Sequence, residues 1–292
     1  MLGLLVGILL TGAVLGDPDP DEVLARVDND VIKRAEVDRE VGRALGKREA
    51  SNDERARLEK EMLILVVDRR LVLRYLERTQ QAASEQDVDF AVAQFAKQLG
   101  RQEKTLAEYL AKEHSSEKEL RRQFAWQLGW NRYLEKQLTD ENLQKFFEKH
   151  RREFDGTELH VAHILWKVPP DDDSALNKAI EQAKSVREQI VAGKLTFAEA
   201  ARKHSQAPTA QQGGDIGWVR RHEPMPEIFS QAAFVLAKNQ VSEPVVSAFG
   251  VHLIRVLEEK HGQAAWQDCR EELAAAVTRY LFKFLAERER KR

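Results

Sequence analysis

The chain has 292 residues, room for two domains of ordinary size, with charged side chains at 32% and aromatics at 7%. Its 46 basic and 48 acidic residues leave a formal charge of −2, so there is no electrostatic footprint for a nucleic-acid partner. Cys269 is the one cysteine, which excludes an internal disulfide and a cysteine-built metal cluster.

The chain opens on "MLGLLVGILLTGAVLG", residues 1–16, without a charged side chain. About 20 apolar residues are needed to span a bilayer, and this run is shorter. It reads as a secretory signal with small Gly16 as the cleavage edge before "DPDPD", which would place the chain in the periplasm or otherwise outside the cytoplasm. Retained instead, the segment would be an N-terminal anchor, and membrane contact is expected only in that case.

Proline then divides the chain: after Pro20 none occurs until Pro169, and six of the eight fall between 169 and 244. A long stretch without Pro, dense in Glu, Lys, Arg, Leu and Ala, suits helices. It begins on "VLARVDNDVIKRAEVDREV". Alternating Val23, Ala25 and Val27 and the turn residues Asp28-Asn29-Asp30 predict a short hairpin, followed by a helix from Arg34. Leu58, Met62, Leu65, Leu73 and Leu76 mark the next helix. Val88, Phe95 and Leu99 mark another, and Thr105–Glu113 a short one. Ser116 with Glu119 forms a capping-box pattern ahead of Leu120, Phe124 and Leu128, and "TDENLQKFFEKHRREF" starts a helix at Thr139. The pairs Arg69-Arg70, Arg121-Arg122 and Arg151-Arg152 read as solvated helix faces.

Residues 158–260 have a different texture. "ELHVAHILWKV" alternates and ends at Pro169-Pro170, so it is a strand. A helix follows with Ser174 as its N-cap and Gly193 at its C-terminal end. Thr196 and Glu199 cap a shorter one. After the loop "HSQAPTAQQGG" come a strand "DIGWV", a helix "PEIFSQAAFVL" and a final strand pair around Val245-Val246 and "GVHLIRVL". The order is β-α-α-β-α-β-β, an antiparallel α+β domain. The segment 261–292 is again helical, with Leu273, Val277, Leu281 and Phe284 forming its stripe. The expected architecture is therefore a mainly helical domain, 17–157 completed by 261–292, carrying 158–260 as an insertion.

"HILWK", "GGDIGW", "MPEIFSQAAF" and "FGVHLIRV" occur in the order and spacing of one family, and over 158–260 the chain resembles the parvulin peptidyl-prolyl isomerases. The flanks, through "LARVDNDVIKRAEVD" and "TDENLQKFFEKHRREF", are similar to the SurA and PrsA type of exported foldase. Parvulin chemistry breaks no covalent bond, so it implies no metal, cofactor or nucleophile. The resemblance implies His163, His252 and Ser247 as the polar catalytic group, and Ile216, Met225 and Phe229 as the substrate-binding proline pocket. Its partners would be unfolded or partly folded polypeptides with X–Pro bonds. Active members carry Cys or Asp where this chain has Ala207, with Ser205 and Gln206 adjacent as substitutes. The expected function is thus isomerisation with folding assistance; the alternative is a non-catalytic peptide-binding chaperone.

Overall fold

A computed structural model describes residues 19–169, 172–222 and 224–292. The expected signal or anchor at 1–16 lies outside them. The chain forms two compact units, one running up to Asp140 and joined by Ala275–Arg292, the other Glu141–Ala274. No helix among the described residues is long and apolar enough to cross a membrane.

In the first unit, β1 (Val23–Val27) pairs antiparallel with β2 (Asp30–Lys33). Asp28 turns the chain at φ 52°, a conformation that Asp tolerates. Five helices follow: α1 (Arg34–Leu45), α2 (Asn52–Arg78), α3 (Glu85–Gly100), α4 (Leu106–Lys112) and α5 (Glu117–Gln137). Ser84, Thr105 and Ser116 each close a capping box, so the short polar residues start the helices where the sequence places them. Ile32, Val37, Leu71, Leu76 and Trp130 form the core together with Leu285 and Ala286 from the C-terminal segment. One expectation fails here. Arg70 and Arg122 are not on a solvated face but mostly buried, held by Glu36 and Asp30, because their helix faces meet other helices rather than solvent.

The second unit contains α6 (Asp140–Phe154), β3 (Glu158–Trp166), α7 (Asp173–Val191), α8 (Phe197–His204), β4 (Asp215–Val219), α9 (Glu227–Phe234), β5 (Val245–Ser247) and β6 (Gly250–Lys260). α10 (Arg270–Arg290) then carries the chain on into the first unit. The sheet order is β4-β3-β6-β5, antiparallel throughout, as the α+β reading expects. Ala162, Ile164, Val251 and Leu253 pack on α7 and α8, while Leu159, Val161, Ile254 and Val256 pack on α9. This is the strand period of two written on both faces. The N-cap of α7 is Asp172, which accepts from the Ala175 amide at 2.8 Å, rather than Ser174; either residue type can cap, and the helix begins at the earlier one.

The second unit is wider than 158–260 at both ends. Arg152 on α6 reaches both carboxylate oxygens of Glu259 (2.9 and 2.8 Å) and the carbonyls of Phe234 and Leu236 (2.9 and 2.6 Å). Beyond β6, Gly262 donates to Thr157 Oγ1 at 3.0 Å and Ala264 to the Asp155 carbonyl at 3.0 Å. These bonds tie α6 and the segment after Lys260 to the end of the sheet.

Candidate functional site

His163 on β3 stands opposite Ile254, and His252 on β6 opposite Leu165. The two histidines are therefore diagonal neighbours on one face, the arrangement that brings long side chains of adjacent strands together. Their Nδ1 atoms are 3.3 Å apart and the rings are near parallel at 23°. Ser247, the last residue of β5, places Oγ 2.7 Å from His252 Nε2 and accepts the Phe249 amide at 3.0 Å. One imidazole must donate and the other accept, so the pair holds only while at least one Nδ1 is unprotonated. Burial lowers the pKa of both rings, that of His252 to about 4, where the neighbouring His163 adds to the effect. Both imidazoles are neutral at pH 7.

Beneath them lies Phe229 of α9, its ring edge-on to His163 (5.8 Å) and to His252 (5.5 Å). Expected to line a proline pocket, Phe229 instead has 0% exposure. It offers no exposed surface in this conformation and packs edge-on beneath both imidazoles. Ile216 and Met225 pack against the same apolar cluster and are half-buried, so they can present surface. Arg221, buried, fixes the start of α9 through two bonds to Glu227 (both 2.7 Å) and one to Glu153 (3.0 Å). The guanidinium holds the Glu227 carboxyl down at about 2. No sequence signal marked Arg221; it is one basic residue in a charged loop.

The loop after α8 lies along the edge of β3. His163 donates its amide to the Gly214 carbonyl at 2.8 Å, and the Gln206 amide reaches the Leu165 carbonyl at 2.7 Å. The side chains of Ser205 and Gln206 are committed here: Ser205 Oγ accepts the Leu165 amide (3.1 Å) and Gln206 Oε1 the Lys167 amide (2.6 Å). Both oxygens are thus engaged at this edge, beside Ala207, which is itself buried. Gly214 is obligatory. At φ 82° an added Cβ would fall 2.2 Å from the His163 carbonyl oxygen. Among the described residues no group of three or more His, Cys, Asp and Glu is placed to hold a metal ion.

Residues 163–258 match the family model "Rotamase: PPIC-type PPIASE domain". This stretch is a PPIC-type rotamase domain. The chain is also similar to the chaperone SurA of a Polaromonas species, 39% identical over 133 residues, which is 44% of this chain and 28% of that one. The chaperone SurA of Pseudomonas syringae pv. tomato is 28% identical over 279 residues, 91% of this chain and 64% of the relative. The chain thus spans less than two thirds of these relatives' length. A crystallised PpiC-type peptidyl-prolyl cis-trans isomerase domain aligns at TM-score 0.34 and 23% identity, over 38% of this chain and 98% of that one. The rotamase match begins at His163 and takes in His252, Ser247, Ile216, Met225 and Phe229.

Proposed function

We propose that the chain is a peptidyl-prolyl cis–trans isomerase and folding chaperone acting on X–Pro segments of unfolded or partly folded exported polypeptides, with weak turnover. The observation that carries the reading is the neutral imidazole pair with Ser247, held on Phe229 inside a rotamase domain. Rotation about an X–Pro bond faces a barrier of about 18–20 kcal/mol and takes tens to hundreds of seconds unaided. Catalysis consists of binding the twisted amide better than the planar one. Twisting breaks conjugation, so the imide nitrogen regains its lone pair and the carbonyl oxygen loses negative charge. Half-buried Ile216 and Met225 hold the proline ring, an apolar task that unbranched Met suits. His163, His252 and Ser247 supply a fixed polar wall without net charge, and preorganised dipoles of this kind act without reorganising during the reaction.

Ala207 favours a second reading, a peptide holder without turnover, because no dipole or charge stands at that position. The deciding experiment follows isomerisation of a short X–Pro peptide. Measurable turnover is expected in the wild type, and Ala207→Asp or Ala207→Cys should raise it about tenfold, equivalent to about 1.4 kcal/mol. His163→Ala should lower turnover in either background. No turnover in any variant, with peptide binding kept, would establish the holder instead.

A further inference from the structure

We infer that the helical unit contains a binding site for a carboxylate group of a polypeptide, in the cavity where α1, α2 and α5 meet. The polypeptide source rests on the chaperone reading above; the site itself does not. Helix faces that meet inside a bundle are ordinarily apolar. Here Arg39 and Arg43 from α1, Arg69 and Arg70 from α2 and Arg122 from α5 line a part-open space of about 50 Å³. That is room for roughly three or four waters, a fit for one carboxylate and little more.

The charges within the cavity do not balance. Glu36 takes two bonds from Arg70 Nη2 (2.9 and 2.8 Å), and Glu40 faces Arg43 (2.6 Å) and Arg69 (3.0 Å). Glu119 is 3.6 Å from Arg39, whose Nη1 is already on the Glu113 carbonyl at 2.6 Å. Asp30 holds Arg122 at 2.7 Å. Five guanidinium groups thus line the cavity with three carboxylates, and counting Asp30 outside the lining there are four, which disfavours a cation and favours one more anion. The decisive feature is Arg70. Its side chain is only 10% exposed, and its Nε is buried with no hydrogen-bond partner among the described residues. Buried donors are almost always satisfied, charged ones above all. Since Nη2 is committed to Glu36, Nε is the donor left for one further carboxylate oxygen. An entry path exists because exposure rises from Arg70 at the floor to Arg43, 49% exposed, at the rim.

The test uses the full chain and a dye-labelled, proline-free peptide, so that the rotamase site contributes nothing. Fluorescence polarisation compares the free α-carboxylate form, its C-terminal amide, and an amidated form with one internal Asp. The free acid should bind about tenfold tighter than the plain amide, the size of effect given by one charge-assisted contact. Arg70→Gln should remove that preference while X–Pro turnover stays as in the wild type. Asp-peptide binding equal to that of the free acid extends the site to side-chain carboxylates; binding of the free acid alone restricts it to chain ends. Should Arg70→Gln fail to melt cooperatively, Arg43→Gln at the rim should still weaken the preference by roughly threefold, as expected of a part-exposed charge. Equal affinity for acid and amide in the wild type, or a preference that survives both substitutions, would overturn the site.

Discussion

His252 illustrates how burial turns an ordinary side chain into a pH-sensitive one. Its pKa falls from 6.5 to about 4 in the folded chain, chiefly by desolvation. Above 6.5 folded and unfolded states are both neutral and stability is full. As pH drops below 6.5 the unfolded ring protonates and the folded one resists, so stability is lost until about pH 4, where the loss levels off. The loss for this ring is about 3 kcal/mol. Urea unfolding at about pH 7.5 and pH 4.5 should show it, and His252→Gln should flatten the dependence. Phe229→Ala makes a second prediction at this scale. Because the ring is fully buried, its removal should cost ~3–5 kcal/mol of stability, read as a lowered melting temperature, and should also loosen the imidazole pair. Loss of peptide binding with unchanged stability would mean that the ring faces the ligand after all.

At the scale of elements, the loop between α8 and β4 is a strand edge built from side chains. Ser205 and Gln206 take over where β4 stops pairing with β3. Ser205→Ala should leave the β3 amide of Leu165 without its acceptor, costing ~1–3 kcal/mol if water does not reach it, whereas Gln206→Ala frees the amide of exposed Lys167, just past β3, and should cost less. Turnover should fall with them, since the same strand carries His163. Two glycines separate strain from collision. Gly217, at φ 80° with open space around its Cβ position, should lose only the left-handed penalty of ~1–2 kcal/mol on change to Ala. Gly214→Ala must in addition push away the His163 carbonyl and should lower both the melting temperature and turnover much further. Similar losses at the two positions would show that the loop yields without moving β3.

For the whole molecule, α10 makes the first unit depend on the end of the chain. Phe282 lies edge-on to Trp126 (5.7 Å) and Trp130 (5.9 Å), and Leu285 and Ala286 are buried with them. Truncation after Ala274 should expose that aromatic cluster and cause aggregation. Replacement of Glu141–Ala274 by a short Gly/Ser linker should leave a cooperatively melting helical unit. A truncated chain that stays soluble and as stable as the whole would show that α10 adds nothing to the core.

By itself the sequence determined the alternation of strands, the helix starts other than that of α7, and the sheet-bearing segment, because these depend on local chemistry. Ser84, Thr105, Ser116 and Thr196 cap because their oxygens reach an amide three residues on. The resemblance carried by four short motifs also pointed to His163, His252 and Ser247, which the fold brings together. What only tertiary structure decided depends on neighbours far along the chain. Phe229, expected at a pocket wall, is fully buried because α9 packs it against the histidines of β3 and β6. Ser205 and Gln206 looked free until the edge of β3 claimed both. Arg70 and Arg122 looked solvated, since a charged helix face reads the same whether it meets water or another helix. The pattern of residues along a helix states which side is polar; which side is buried is settled only by what packs against it.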